Sequence, residues 1–76
     1  MNQVTLHSGE QKRIYKAIAQ KIYDLEQNPD RRSQLFKSLF TDLKERFRVD
    51  SYKNIKQSDM QAALRYIDTW KPRKVS

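Results

Sequence analysis

His7 is the single histidine of a 76-residue chain that has no cysteine. A zinc site needs several nitrogen or sulfur ligands, so His7 has nothing to share a metal with and is expected to be an exposed polar residue. Asp42 and Glu45 are three apart on a helical stretch. Lys44 and Arg46 interleave with them, which marks a solvated charged surface rather than the cleft that acid–base chemistry needs to split two carboxyl pKa values. Gly9 is the only glycine, which excludes a glycine-rich phosphate loop. No serine has a neighbouring base to activate it. The sequence therefore points away from an enzyme, and from any metal or cofactor.

What remains is recognition. Lys and Arg number 16 against 9 Asp and Glu, giving a net charge of +7. A small basic domain fits nucleic acid, an acidic protein partner or a merely solvated basic surface. Direct base reading is poorly supported. The third helix would expose Gln61, Arg65, Asp68 and Thr69, too few donors for a major-groove reader. Its link to the second helix is also longer than a helix-turn-helix allows. The basic faces of helices 1 and 2 could still hold phosphates without sequence preference, so a nucleic-acid-binding module is the alternative reading.

The elements that must carry such a surface are three helices. One domain is expected over residues 1–76, with residues 1–7 as a loose lead-in and 71–76 as a basic tail. A chain this short buries only roughly 60% of its unfolded surface, so its core is thin. Without disulfides or metals, good helix packing or a partner subunit must complete it. Helix 1 is expected from Gly9 to about Gln27, with a capping box built by Ser8 and Gln11. Ile14, Ile18, Ile22 and Leu25 share one face. Beside them runs a second line, Tyr15, Ala19 and Tyr23. It either edges the core with wet hydroxyls or forms a homo-oligomer face, dimer or tetramer.

Asn28 and Pro29 have the types of a helix cap and a first helical position. Helix 2 is expected to run from there to about Phe47. Leu35, Phe36, Leu39, Phe40, Leu43 and Phe47 make a dense stripe that predicts the main core contribution. Lys37, Lys44 and Arg48 lie on the opposite face. Ser58 to Gln61 has the pattern of a second capping box. Helix 3 should then run to about Lys71, before Pro72, with Met60, Ala63, Leu64, Ile67 and Trp70 inward and Tyr66 at the edge. The fold class is all-α, a small three-helix domain with an irregular loop between helices 2 and 3, completed by oligomerisation. No run approaches the ~20 apolar residues of a membrane span, and the chain is expected to be soluble and cytoplasmic.

The loop is the most distinctive stretch. Val49, Tyr52 and Ile55 give it an inward side, and a short helical turn is expected from Asp50 or Ser51. Across it the chain reads L-K-x-x-F-x-V at Leu43, Lys44, Phe47 and Val49, then S-Y-x-x-I at Ser51, Tyr52 and Ile55. It continues A-L-x-x-I-x-x-W at Ala63, Leu64, Ile67 and Trp70. This pattern resembles the C-terminal domain of phage antirepressor proteins. The resemblance implies a regulator of the lysogeny–lysis switch in a temperate phage or prophage. Such a protein binds a phage repressor and prevents its operator binding, which releases lytic genes. It would do so by occluding the DNA-binding face or by holding the repressor's subunits at a spacing that misses the operator half-sites. Larger antirepressors carry a separate N-terminal domain, so this chain is expected to be a compact stand-alone protein or an excised module; Met1 without a tag favours the former.

The family often has glycine at the position of Arg48, where a left-handed residue ends a helix. Arginine there is either strained or signals a different turn. Phe47, Val49, Ile55, Leu64 and Ile67 are expected in the core. Tyr52 and Trp70 either fill the core or anchor a partner. Arg46, Arg48 and Lys53 surround Tyr52 in sequence. Together with Tyr52 and Trp70 they form the expected contact patch for a repressor.

Overall fold

A computed structural model describes residues 4–72. It contains three helices: α1, Ser8–Leu25; α2, Pro29–Phe47; and α3, Met60–Thr69. Two 3-10 turns, Tyr52–Asn54 and Gln57–Asp59, join α2 to α3. Gln57 meets Glu10 at one end of α1, and Lys21 meets the Asp68 carbonyl near the other, so α1 and α3 run in the same direction. Tyr23 faces Phe36 and Tyr15 faces Phe40, so α2 runs against α1.

The start of α1 sits one residue earlier than the capping box at Ser8 predicts. His7 is the N-cap, and its backbone N–H donates to the Glu10 carboxylate at 2.9 Å. An ionised carboxylate at the third position is a stronger acceptor than an amide, and it suits the positive end of the helix dipole. Gln11 is engaged elsewhere, donating through Nε2 to the Leu6 carbonyl at 3.0 Å. α1 ends at Leu25 rather than Gln27, with Glu26 already extended.

Asn28 and Pro29 behave as their types dictate. The Asn28 side chain accepts from the Asp30 N–H at 2.9 Å, and Pro29 takes the first helical position. At the other end of α2, Arg48 adopts a left-handed conformation, φ 56° and ψ 50°. Its N–H donates to Glu45 O, and the Val49 N–H donates to Lys44 O at 3.0 Å. This is the paired Schellman arrangement that glycine normally supplies. The turn is therefore kept, and arginine bears its backbone strain.

Ser51 caps the first 3-10 turn, accepting from the Lys53 N–H, so the expected helical turn in the loop is present. The capping box at Ser58 is not. Ser58 lies inside the second 3-10 turn, and α3 begins at Met60 with no side-chain cap. α3 stops at Thr69, two residues short of Lys71, and the Thr69 hydroxyl donates back to the Arg65 carbonyl.

The core comprises Ile14, Ile18 and Ile22 of α1, Leu39 and Leu43 of α2, Ile55 of the loop, and Met60, Ala63, Ile67 and Trp70 at α3, closed by Leu6. Three expectations change here. The lead-in is not loose over its described part. The Leu6 N–H donates to Ile55 O at 3.0 Å, the Gln57 N–H donates to Val4 O at 2.9 Å, and Thr5 bridges antiparallel to Lys56. Residues 1–3 and 73–76, the latter making up most of the expected basic tail, lie outside the described residues. Leu25 is 40% exposed, at an open hollow that it lines with Leu64, Ile67 and Asp68. The three phenylalanines of α2 do not form the main core. They are only partly buried, against a core that α1 supplies through three fully enclosed isoleucines. Val49 and Leu64, expected inside, are likewise packed on the core only in part.

Candidate protein-binding face

α1 and α2 meet in an aromatic row. Tyr23 lies edge-on to Phe36 with ring centroids 6.4 Å apart, and Phe36 stacks on Phe40 at 6.3 Å. Phe40 then meets Tyr52 at 5.6 Å and Tyr15 at 6.2 Å, and those two tyrosines are 6.5 Å apart. Aromatic pairs in these arrangements contribute about 0.5–1.5 kcal/mol beyond area burial, so the row also fastens the two helices. It is nevertheless open to water. Tyr15 and Tyr23 are each 50% exposed.

The geometry follows from helix periodicity. Leu39 and Leu43 take the side of α2 that faces the core, which leaves Phe36 and Phe40 on the flank beside α1. Tyr15 and Tyr23 occupy the matching flank of α1, with Ala19 half-buried between them. Tyr52 is carried to the end of the row by the 3-10 turn that Ser51 starts. At the opposite end the Arg32 guanidinium lies 4.5 Å from the Tyr23 ring centroid. Its Nε donates to the Glu26 carbonyl at 2.7 Å, which fixes the cation over the ring.

The structure thus joins two groups of residues that the sequence kept apart. Tyr52, of the expected contact patch, adjoins Tyr15, of the expected oligomer face, through Phe40. Lys53 is exposed on the same turn as Tyr52. The rest of the patch is dispersed. Arg46 lies against the Phe47 ring at 5.7 Å and lines a separate hollow with Gln61, Arg65 and Tyr66 of α3. Arg48 lines another hollow with Thr5 and Lys56. Trp70 is 5% exposed, and its indole is held by Asp42, so in this structure it is a core residue. Phe36 and Phe40 are partly buried against the core, yet they also join the exposed tyrosines, a role that the core stripe does not announce. Their i, i+4 spacing matches the i, i+8 pair Tyr15 and Tyr23 on the neighbouring helix, a signal that hydrophobic spacing alone reads as core.

Among the described residues no group of His, Asp or Glu is arranged to hold a metal ion. Glu10 lies at the start of α1, between the His7 N–H and the Gln57 side chain. The His7 backbone N–H holds it below the usual range, desolvation opposes this, and Gln57 and the His7 charge assist. That group caps a helix. Among the same residues no helix is long and apolar enough to cross a membrane.

Residues 1–76 match the family described as the ORF6C domain. The chain belongs to the ORF6C domain family. This is the phage antirepressor C-terminal family that the loop motifs resemble. None of the curated proteins and none of the solved structures matches the chain. For this ORF6C domain the loop motif is now placed: Ile55 is fully buried, Phe47, Val49 and Tyr52 are partly buried against the core, and Tyr52 also ends the aromatic row.

Proposed function

We propose that this ORF6C domain is a non-enzymatic regulator that binds a phage repressor in the host cytoplasm, prevents its operator binding and so releases lytic genes. Family membership over residues 1–76 carries the reading. The aromatic row supports it, because half-exposed Tyr side chains beside Arg are the residue types that anchor protein interfaces.

Net charge bears on how it acts. The face that a repressor applies to DNA must be rich in Lys and Arg, which neutralise phosphates. A chain of net charge +7 is a poor mimic of DNA for such a face. Holding repressor subunits at a spacing that misses the operator half-sites fits this charge better than covering the DNA-reading helix.

The test uses labelled operator DNA, first alone and then saturated with the repressor of the phage genome that encodes this chain. The reading requires loss of the repressor–operator complex while operator alone stays unbound. Tight, steeply salt-dependent binding to operator alone, without any effect on repressor, establishes the nucleic-acid alternative instead.

A further inference from the structure

We propose that the aromatic row between α1 and α2 is a docking surface for an acidic amphipathic helix of the partner protein; this rests on the regulatory reading above and names the chemistry of the contact. Successive rings from Tyr23 to Tyr52 are 5.6–6.4 Å apart. That is close to the ~5.4 Å rise of one helical turn, the spacing at which a docked helix presents its i, i+3/i+4 and i+7 anchors. A peptide added as a β-strand has no such match, because it needs a sheet edge for its backbone groups and a face built by two helices offers none.

Charge selects the sign of the partner. The helical repeat sets Lys12 and Lys16 beside the tyrosine line of α1, and Lys37 and Lys44 at the boundary between the Phe36–Phe40 flank and the outer face of α2. Lys12, Lys16 and Lys37 are exposed, as is Lys53 next to Tyr52. Of the carboxylates, Glu26 and Asp30 sit at the Tyr23 end, Asp50 lies two residues before Tyr52, and Asp42 and Glu45 lie on the outer face of α2 beyond Lys37. A partner helix with glutamates or aspartates along both flanks of an apolar stripe therefore meets opposite charge on each side. A second copy of this chain brings the same lysines and meets repulsion. Single-stranded nucleic acid has the right charge but finds few ring faces to stack on. Arg32 covers one face of Tyr23, Phe36 and Phe40 are partly buried and stack on each other, and half-exposed Tyr15 offers a single platform.

The probe is a fluorescein-labelled helical peptide with leucines along one face and glutamates on both flanks, followed by anisotropy at low and physiological salt. Controls replace its leucines with serine, or its glutamates with lysine. Oligo-dT is a further ligand. The acidic amphipathic peptide should bind tightest. Tyr15→Ala with Tyr23→Ala should lower its affinity about tenfold or more. Lys16→Glu with Lys37→Glu should also weaken it and flatten its salt dependence, whereas Arg65→Glu on α3 should change nothing. All the substituted tyrosines and lysines are exposed, and circular dichroism confirms folding of each variant. The proposal is overturned if the serine control or oligo-dT binds as well. It is equally overturned if the lysine reversals have no effect, or if light scattering shows a dimer that Tyr23→Ala dissociates. A Lys16→Glu, Lys37→Glu variant that still strips repressor from operator overturns the docking surface alone. A wild-type protein that binds the acidic peptide but strips no repressor overturns the regulatory reading alone.

Discussion

The indole Nε1 of Trp70 donates to Oδ2 of Asp42 at 2.9 Å, tying the residue after α3 to the middle of α2. Trp70 leaves the helix in an extended conformation, and its ring closes the core. The bond lets a polar group enter an apolar site without losing its partner. Trp70→Phe keeps most of the ring and removes the donor. It should cost about 1.5 kcal/mol, the low end for a bond to a charged group, because Asp42 is only partly buried. Trp70→Ala should cost about 3–5 kcal/mol. Urea unfolding checks both; a neutral Trp70→Ala would mean that the ring is not in the core.

Arg48 carries the one positive φ among the non-glycine residues described. A left-handed conformation costs a residue with a Cβ about 1–2 kcal/mol, and glycine returns part of that through its freer unfolded chain. Arg48→Gly should therefore stabilise the domain by about 0.5–1 kcal/mol, seen as a higher urea midpoint with unchanged slope. A lower midpoint would show that the arginine side chain holds the turn.

Leu6 is 3% exposed although it precedes the first helix, and its backbone pairs with Ile55. Leu6→Ala should cost about 2–5 kcal/mol, a large part of the stability of so small a domain. Val4→Ala, two residues away and 49% exposed, should stay within about 0.5 kcal/mol of wild type. Equal effects would mean that the segment does not pack.

Glu10 gives the fold a pH dependence at its acid end. The carboxyl is held low chiefly by the His7 N–H, so the folded state favours its ionised form. A lowered folded pKa adds stability that is fully present above the unfolded glutamate's pKa. It is lost as pH falls from there through the folded one. The melting temperature of the wild type should drop across that interval more steeply than that of Glu10→Gln. Parallel curves would leave the cap without energetic weight.

The helices were legible because their signals are local. Ile14, Ile18 and Ile22 repeat on one face, and Asn28 with Pro29 dictates the start of α2. The capping residues of α1 and α3 were misjudged by a residue: at α1 Glu10 rather than Gln11 bonds the cap N–H, and at α3 a 3-10 turn precedes the helix and no side chain caps it. The pairing of Val4–Leu6 with Ile55–Gln57 was not legible, because three residues have no period to read. The aromatic row was hidden for a related reason. Phe36 and Phe40 fit a core stripe on their own helix, and only the neighbouring Tyr15 and Tyr23 turn that flank into a surface. Arg46, Arg48 and Tyr52 are close in sequence, yet the left-handed turn at Arg48 sends them to different sides.

The central claim is that this ORF6C domain removes a phage repressor from its operator by binding the repressor. It is tested most directly by the anisotropy of labelled operator, saturated with that repressor, as the domain is added. The account predicts that anisotropy falls to the value of free DNA, and that the same addition leaves operator alone unchanged. Anisotropy that stays constant, or rises as the domain itself coats the DNA, would contradict it.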